Sequence, residues 1–121
     1  MTGEQIETVL LVTGAITASA GFAVIAPAAA LKLLFGENRP DTPTVMITRH
    51  WGLLVTLVGG LLICAAYQPE IRLPIMVAAI VEKLAIGALI FGSAMRRRAA
   101  AAIVGGADTA MALLYIAILA R

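Results

Sequence analysis

Two long stretches without any charged residue, at positions 8–31 and 51–69, constrain the fold of this chain more than any other feature. A helix needs about 20 predominantly apolar residues to cross the hydrocarbon core of a bilayer, and both stretches have about that length. The chain as a whole is also apolar, since 61% of its residues are hydrophobic and only 13% are charged. A soluble domain of this size needs a polar surface that these stretches do not supply, so the sequence predicts an integral membrane protein.

Two further apolar stretches are interrupted by charge near their centres. Positions 73–95 contain the adjacent residues Glu82 and Lys83, and positions 99–120 contain Asp108. Both stretches are apolar enough on either side of the charge to insert into a bilayer. Because lipid offers the backbone no hydrogen-bond partners, four such segments predict an all-α four-helix transmembrane bundle. The expected spans of this single membrane domain are 4–27, 45–67, 73–95 and 99–120, and a short amphipathic interfacial segment is expected at 28–36.

The basic residues predict how the spans are oriented. Six of the nine lie in the two connections on one side of the membrane: Lys32, Arg39, Arg49, Arg96, Arg97 and Arg98. The opposite side has only Arg72 and Arg121. The positive-inside rule therefore places both termini outside the cytoplasm. Nucleic acid is not an expected partner, because the basic residues do not gather on one exposed face.

The most informative residues are the three charges inside the predicted spans. At about 1.5 Å per residue from the cytoplasmic ends of their spans, Lys83 lies about 18 Å deep and Asp108 about 14 Å deep, so the two can meet. A charge at the bilayer centre costs about 2.5 to 3.5 kcal/mol, so these charges must be paired, neutralised or hydrated. Either Lys83 and Asp108 only hold two helices together, with Glu82 protonated or hydrogen-bonded, or the three form a ligand or proton site.

Tyr115 lies seven residues beyond Asp108 and is therefore expected on the same helix face. It either lines a cavity above Asp108 or belongs to the belt of aromatic residues at the membrane interface. Tyr67, at the outer end of the second span, is expected in that belt. Three pairs of small residues at four-residue spacing are candidate packing surfaces: Gly14 with Ala18, Thr56 with Gly60, and Ala88 with Gly92.

Arg49, His50 and Trp51 form a second candidate group, at the cytoplasmic mouth of the second span. Arginine can extend its charge to the lipid headgroups and tryptophan favours the same zone, so both fit a structural role there. His50 can also titrate near neutral pH and pass protons towards the buried acids. A lone histidine forms neither a metal site nor a catalytic triad, and the single Cys64 forms no disulfide or thiolate site. The sequence therefore predicts no metal and no cofactor.

Several short motifs occur at places that match a known family. They are Pro27 with the leucine-rich stretch ending at Phe35 and Gly36, residues 49–52 at the start of span two, and the pair Gly59 and Gly60. In these features and in its layout the chain resembles the DoxX-like group of small four-helix bacterial membrane proteins. The resemblance implies a multi-pass protein of the bacterial inner membrane. Members with an assigned role act largely as accessory subunits of membrane oxidoreductase or assembly systems.

Three functions are compatible with these residues. The leading hypothesis is a non-enzymatic bundle that binds a lipid-like or small amphipathic molecule, or a partner membrane protein, around its charged centre. The second is a proton-coupled small transporter that works as a homo-oligomer, because four short helices enclose little volume. The third is a membrane enzyme that performs acid and base steps on a sterol or isoprenoid. Membrane lipids are expected partners in every case.

Overall fold

The computed structural model describes all 121 residues and contains helices but no strands, which confirms the predicted all-α fold. The α-helices are α1 (Gly3–Ala18), α2 (Phe22–Ile25), α3 (Pro27–Phe35), α4 (Thr42–Tyr67), α5 (Arg72–Phe91) and α6 (Ala99–Ala120). Single 3-10 turns join α1 to α2 and precede α5 and α6. Four helical segments are long and apolar enough to cross a membrane: Gly3–Ile25, Thr42–Tyr67, Pro69–Phe91 and Ala99–Ala120.

The first span begins with a capping box and ends before a proline. The Thr2 hydroxyl accepts the Gln5 N–H at 3.1 Å, and the Gln5 side chain accepts the Thr2 N–H at 2.8 Å. These two bonds satisfy N–H groups that the first turn leaves free. At the other end Ala26 leaves the helical conformation, with φ −133° and ψ 66°, because the following Pro27 disfavours it there. The chain then turns into α3.

Gly36 ends α3 in the left-handed conformation that favours glycine, with φ 71°. Its N–H donates to the Lys32 carbonyl at 3.1 Å. The guanidinium group of Arg98 lies over Gly36, where a side chain would collide with it. The connection between α5 and α6 therefore contacts the end of α3. We call this end of the bundle the α3 end, and the opposite end, which carries both termini, the terminal end.

Both ends of α4 have polar caps. At its start the Asp41 carboxylate accepts the Thr44 N–H at 2.8 Å, and hydrogen bonding from Thr44 lowers the pKa of Asp41 below its ordinary value. At its end the Arg72 guanidinium donates to the carbonyls of Ala65 and Ala66, at 2.8 and 2.7 Å. These carbonyls belong to the last turn, which has no further helical N–H groups to accept from. Arg72 thus joins α5 to the end of α4.

The bundle consists of two closely packed helix pairs, α1 with α4 and α5 with α6. In the first pair a Cβ atom on Gly59 would lie 2.7 Å from the Gly14 carbonyl oxygen, so the two backbones are in direct contact. This confirms Gly14 as a packing residue. Gly60, predicted together with Thr56 as a packing surface of α4, is wrong as a packing residue, because a Cβ there would meet nothing within 4 Å. One residue along a helix turns the side chain by about 100°, and this places Gly59 in the interface instead.

In the second pair, too, the residue in the interface is one position away from the predicted one. Gly87 of α5 faces Thr109 of α6, and Gly105 of α6 packs on Ile90 of α5. The predicted packing residue Ala88 is exposed, so that prediction is wrong. Close contact through small residues is expected in lipid, where apolar surface drives no association and backbones must approach each other to gain dispersion energy.

Large apolar side chains cover the outside of the bundle. Among those at least half exposed are Val12, Ile16, Leu33, Met46, Ile47, Leu57, Val81, Leu89, Ile103 and Leu113. Most of the large buried side chains form one cluster towards the terminal end, around Leu10, Leu62, Met76, Met111 and Tyr115. An apolar exterior around a small core is the arrangement of a helical membrane protein, whose solvent is lipid.

Candidate functional site

Lys83 and Asp108 form an ion pair, as the counting of helix depth predicts. The Nζ atom of Lys83 lies 3.0 Å from the Oδ1 atom of Asp108, with Lys83 on α5 and Asp108 on α6. The lysine side chain is fully buried, whereas 18% of the aspartate side chain remains exposed. The ammonium group also donates to the Thr17 hydroxyl at 2.8 Å, which ties the ion pair to α1.

Hydrogen bonds extend from this pair along α1. The Thr17 hydroxyl donates to the Thr13 carbonyl at 2.7 Å, and the Tyr115 hydroxyl donates to the Thr13 hydroxyl at 2.5 Å. Thr13 and Thr17 are both buried. The charged residues alone did not predict these two threonines, although their four-residue spacing places them on one face of the helix. We call Lys83, Asp108, Thr13, Thr17 and Tyr115 the polar network.

Glu82 does not belong to the ion pair, so the predicted cluster of three charges is reduced to one pair and a separate carboxyl group. Neighbouring residues on a helix point about 100° apart, and Lys83 already occupies the face that meets Asp108. Glu82 is half-buried, and its Oε2 atom is buried without a hydrogen-bond partner in the chain. This carboxyl group therefore acts apart from the pair.

Tyr115 occupies neither of the two positions expected for it. It is fully buried in the apolar cluster towards the terminal end, and it does not line the cleft that contains Asp108. Thr13 on the neighbouring helix provides a partner for its hydroxyl, so the ring can remain in the core. Tyr67, by contrast, is exposed at the end of α4.

Arg49, His50 and Trp51 do not form one site, because α4 directs Trp51 to a different side from Arg49 and His50. Arg49 and His50 are exposed and line a shallow surface depression of about 360 Å³. His50 takes no part in the polar network, so the expected proton path from His50 to the buried acids is not formed. Trp51 points in a different direction and lines a cleft that also contains Asp108.

This cleft lies between α1, α4 and α6, on the side of the ion pair towards the α3 end. Its volume is about 240 Å³. Its walls are apolar apart from Asp108, Thr17 and Ser19. The other lining residues are Ile16, Ala20, Phe22, Leu34, Trp51, Val55, Ile103, Val104, Ala107 and Met111. An apolar space with a few convergent polar groups is the usual form of a small-molecule site.

The cleft opens on the apolar outer surface of the bundle. Its rim includes Ile16 and Phe22 on one side and Ile103 and Ala107 on the other, and all four are exposed. The opening follows from helix packing, since α1 and α6 approach each other less closely than the helices within each pair. In a membrane this opening faces the lipid chains. A molecule dissolved in the bilayer can therefore reach Asp108 without passing through water.

The charge that the cleft presents is that of a carboxylate. The carboxylate of Asp108 is on the wall, whereas Lys83 is fully buried and does not line the cleft. A carboxylate oxygen accepts hydrogen bonds and donates none when ionised. The arrangement can therefore hold a polar group that donates a hydrogen bond, with an apolar body beside it.

No protein-family model, curated protein or solved structure matches the chain.

Proposed function

We propose that this protein binds a lipid-like or small amphipathic molecule, which enters the cleft between α1 and α6 from the bilayer. The observation that carries the proposal is the position of the Asp108 carboxylate, on the wall of an otherwise apolar cleft with a lipid-facing opening. The polar part of the molecule contacts Asp108, and its apolar part lies along Trp51 and Phe22.

The ion pair by itself has a structural use, because it joins α5 to α6 within one helix pair, and the Lys83 hydrogen bond to Thr17 ties it to α1. A buried ion pair nonetheless contributes little net stability, since proteins with apolar replacements of similar volume are often equally or more stable. Elsewhere in this bundle glycine contacts join the helices without any charge. A pair that only joined helices would also need no space beside it. The cleft next to Asp108 therefore favours a binding role in addition to the structural one.

The two alternative functions receive less support from the site. Asp108 is the only titratable residue on the wall of the cleft, whereas acid and base catalysis needs a second group within reach of the substrate. Proton transport needs a path across the membrane. The Thr17 hydroxyl donates to a backbone carbonyl, which passes no proton on, so the polar network does not form such a path.

The location of the protein belongs to the same proposal. Six basic residues lie at the α3 end of the bundle, which supports a cytoplasmic position for that end and places both termini outside. The four spans with a short helix after the first also support the resemblance to the DoxX-like group, and with it a bacterial inner membrane. We also propose that the exposed apolar faces of the bundle can contact a second copy or a partner membrane protein.

Native mass spectrometry in mild detergent tests the binding role. We expect the wild-type protein to retain a small molecule of defined mass and Ala107→Phe, which fills the rim of the cleft, to lose it. Ala110→Phe is the matched control, because Ala110 is exposed on α6 but does not line the cleft. Equal retention by all three proteins would contradict the proposal. The same spectra report the number of subunits.

A further inference from the structure

We infer that the molecule in the cleft is a long-chain alcohol, with a neutral hydroxyl head group that donates to Asp108. The inference rests on the proposed function and specifies which amphipaths the site accepts. It follows from three properties of the wall: the sign of the charge that faces the cleft, the direction in which its hydroxyl groups donate, and the size of the space.

The charge on the wall excludes an anionic head group. The Lys83 ammonium is held between Asp108 and Thr17, with no exposed surface, so its charge is not available to a ligand. A fatty-acid carboxylate would instead meet the carboxylate of Asp108 in an apolar surrounding, where like charges repel strongly. The head group must therefore be neutral or cationic.

The hydroxyl groups of the wall also favour a ligand that donates a hydrogen bond. Thr17 donates to the Thr13 carbonyl at 2.7 Å, and Ser19 donates to the Ile16 carbonyl at 2.5 Å. Both hydroxyl protons are thus used within α1 and its continuation. An ester, ether or ketone, which only accepts hydrogen bonds, would find no hydroxyl donor on this wall. Asp108, in contrast, has a second carboxylate oxygen beyond the one that contacts Lys83.

A neutral donor fits better than a cation. Lys83 and Asp108 together carry no net charge, so a hydroxyl leaves the cleft neutral whereas an ammonium adds an uncompensated charge to an apolar space.

The space holds only part of a long molecule. The cleft has a volume of about 240 Å³, which is the volume that roughly eight water molecules occupy in liquid water. This accommodates the head group and the first carbons of a chain. The rest of the chain must leave through the opening between Ile16 and Ala107 and lie against the apolar outer surface.

Trp51 provides the test, because it is the only tryptophan and lies on the wall of the cleft. The full chain is reconstituted in phosphatidylcholine vesicles and titrated with four amphipaths of equal chain length, brominated near the head group: an alcohol, a methyl ether, a fatty acid and a primary amine. Bromine quenches tryptophan at short range. We expect saturable quenching by the alcohol, with half-saturation at a concentration about tenfold or more below that of the other three, as one hydrogen bond to a charged acceptor provides.

Two variants isolate the contact. Replacing the ion pair as a unit, with Lys83→Met and Asp108→Leu, leaves neither Lys83 nor Asp108 without its partner and should remove the difference between alcohol and ether. Circular dichroism of this variant checks that it keeps its helices. A lipid-facing reporter, Trp51→Phe with Leu54→Trp, should show equal and non-saturable quenching by the alcohol, ether and amine, since Leu54 is exposed outside the cleft.

The outcomes separate this inference from the proposed function. Saturable quenching of equal strength by all four probes would overturn the preference for a hydroxyl and keep the binding site. Tightest quenching by the amine or the acid would overturn it in favour of a charged ligand. Saturable quenching by none of the probes would overturn both. An alcohol preference that persists in the Lys83→Met and Asp108→Leu variant would also contradict the inference, because the selectivity would then come from elsewhere.

Discussion

The contacts within the two helix pairs differ in kind from the contacts between them. Within the pairs, backbones meet at Gly14 and Gly59 and at Gly87 and Gly105. The ion pair of Lys83 and Asp108 also joins α5 to α6. Between α1 and the pair of α5 and α6, side chains reach across the gap through the polar network. The first kind of contact fills space, whereas the second leaves a cleft beside Asp108. In this protein, therefore, tight packing supports the fold and the looser polar contact forms the site.

The largest effect is expected when the ion pair is split. Asp108→Leu leaves the fully buried Lys83 without its counterion, which should destabilise the protein by about 3 to 5 kcal/mol. The double variant with Lys83→Met should recover most of this loss, because the buried ammonium group that lost its counterion is removed as well. Reversible unfolding of the variants in mixed micelles measures both values. If the single variant is as stable as the double variant, Asp108 does not offset the buried charge of Lys83.

The packed interface can be tested at two neighbouring glycines. Gly59→Ala should destabilise the protein by about 1 to 3 kcal/mol, because its methyl group would lie 2.7 Å from the Gly14 carbonyl oxygen. Gly60→Ala is the matched control and should be neutral or stabilising by up to about 1 kcal/mol, because nothing lies within 4 Å and alanine favours the helix. The same unfolding measurement compares them. Equal effects of the two substitutions would contradict the contact between α1 and α4.

A smaller effect is expected where the polar network contains neutral groups only. Tyr115→Phe removes the hydrogen bond to Thr13 and should destabilise the protein by about 0.6 to 1.5 kcal/mol, the range for one neutral hydrogen bond in membrane and soluble proteins. Tyr67→Phe, at an exposed position, should have no measurable effect. Unfolding midpoints in detergent give both results. A loss as large as that for Asp108→Leu would show that the network does not depend mainly on its ion pair.

The smallest effect lies outside both kinds of contact, at the start of α4. Hydrogen bonding from Thr44 lowers the pKa of Asp41 below its ordinary value of 3.8, so the ionised cap stabilises the helix above that pH. The contribution is lost as the pH falls through the lowered pKa. We expect the stability difference between wild type and Asp41→Asn to shrink between about pH 6 and about pH 3. A constant difference over this interval would show that the charge of the cap is not involved.

The sequence predicts the fold and the central ion pair well, for a simple reason. Hydropathy over about 20 residues and the depth of a residue along its helix do not depend on which neighbour the helix meets. The four spans and the contact of Lys83 with Asp108 follow from these two quantities. A charge inside a span must also find a partner, which restricts the choice further.

The rotation of each helix about its axis was harder to predict. Gly59 and Gly60 are both small, and only the position of α1 decides which of them lies in the interface. The same ambiguity in helix rotation affects Gly87 and Ala88. It also affects Glu82 and Lys83, of which only Lys83 faces Asp108. Tyr115 was misplaced because its buried partner Thr13 lies 102 residues away in the sequence. The cleft could not be predicted, because it arises from the spacing of three helices.

A crystal structure of the protein, grown in a lipid mesophase that contains the brominated long-chain alcohol, tests the central claim most directly. Anomalous scattering locates the bromine without reference to the protein density. We expect a bromine peak between α1 and α6, in the cleft beside Trp51, with the hydroxyl within hydrogen-bonding distance of Asp108. Peaks only on the outer surface, with the cleft closed by apolar side chains, would contradict the claim that the loose polar contact between the helix pairs is a binding site.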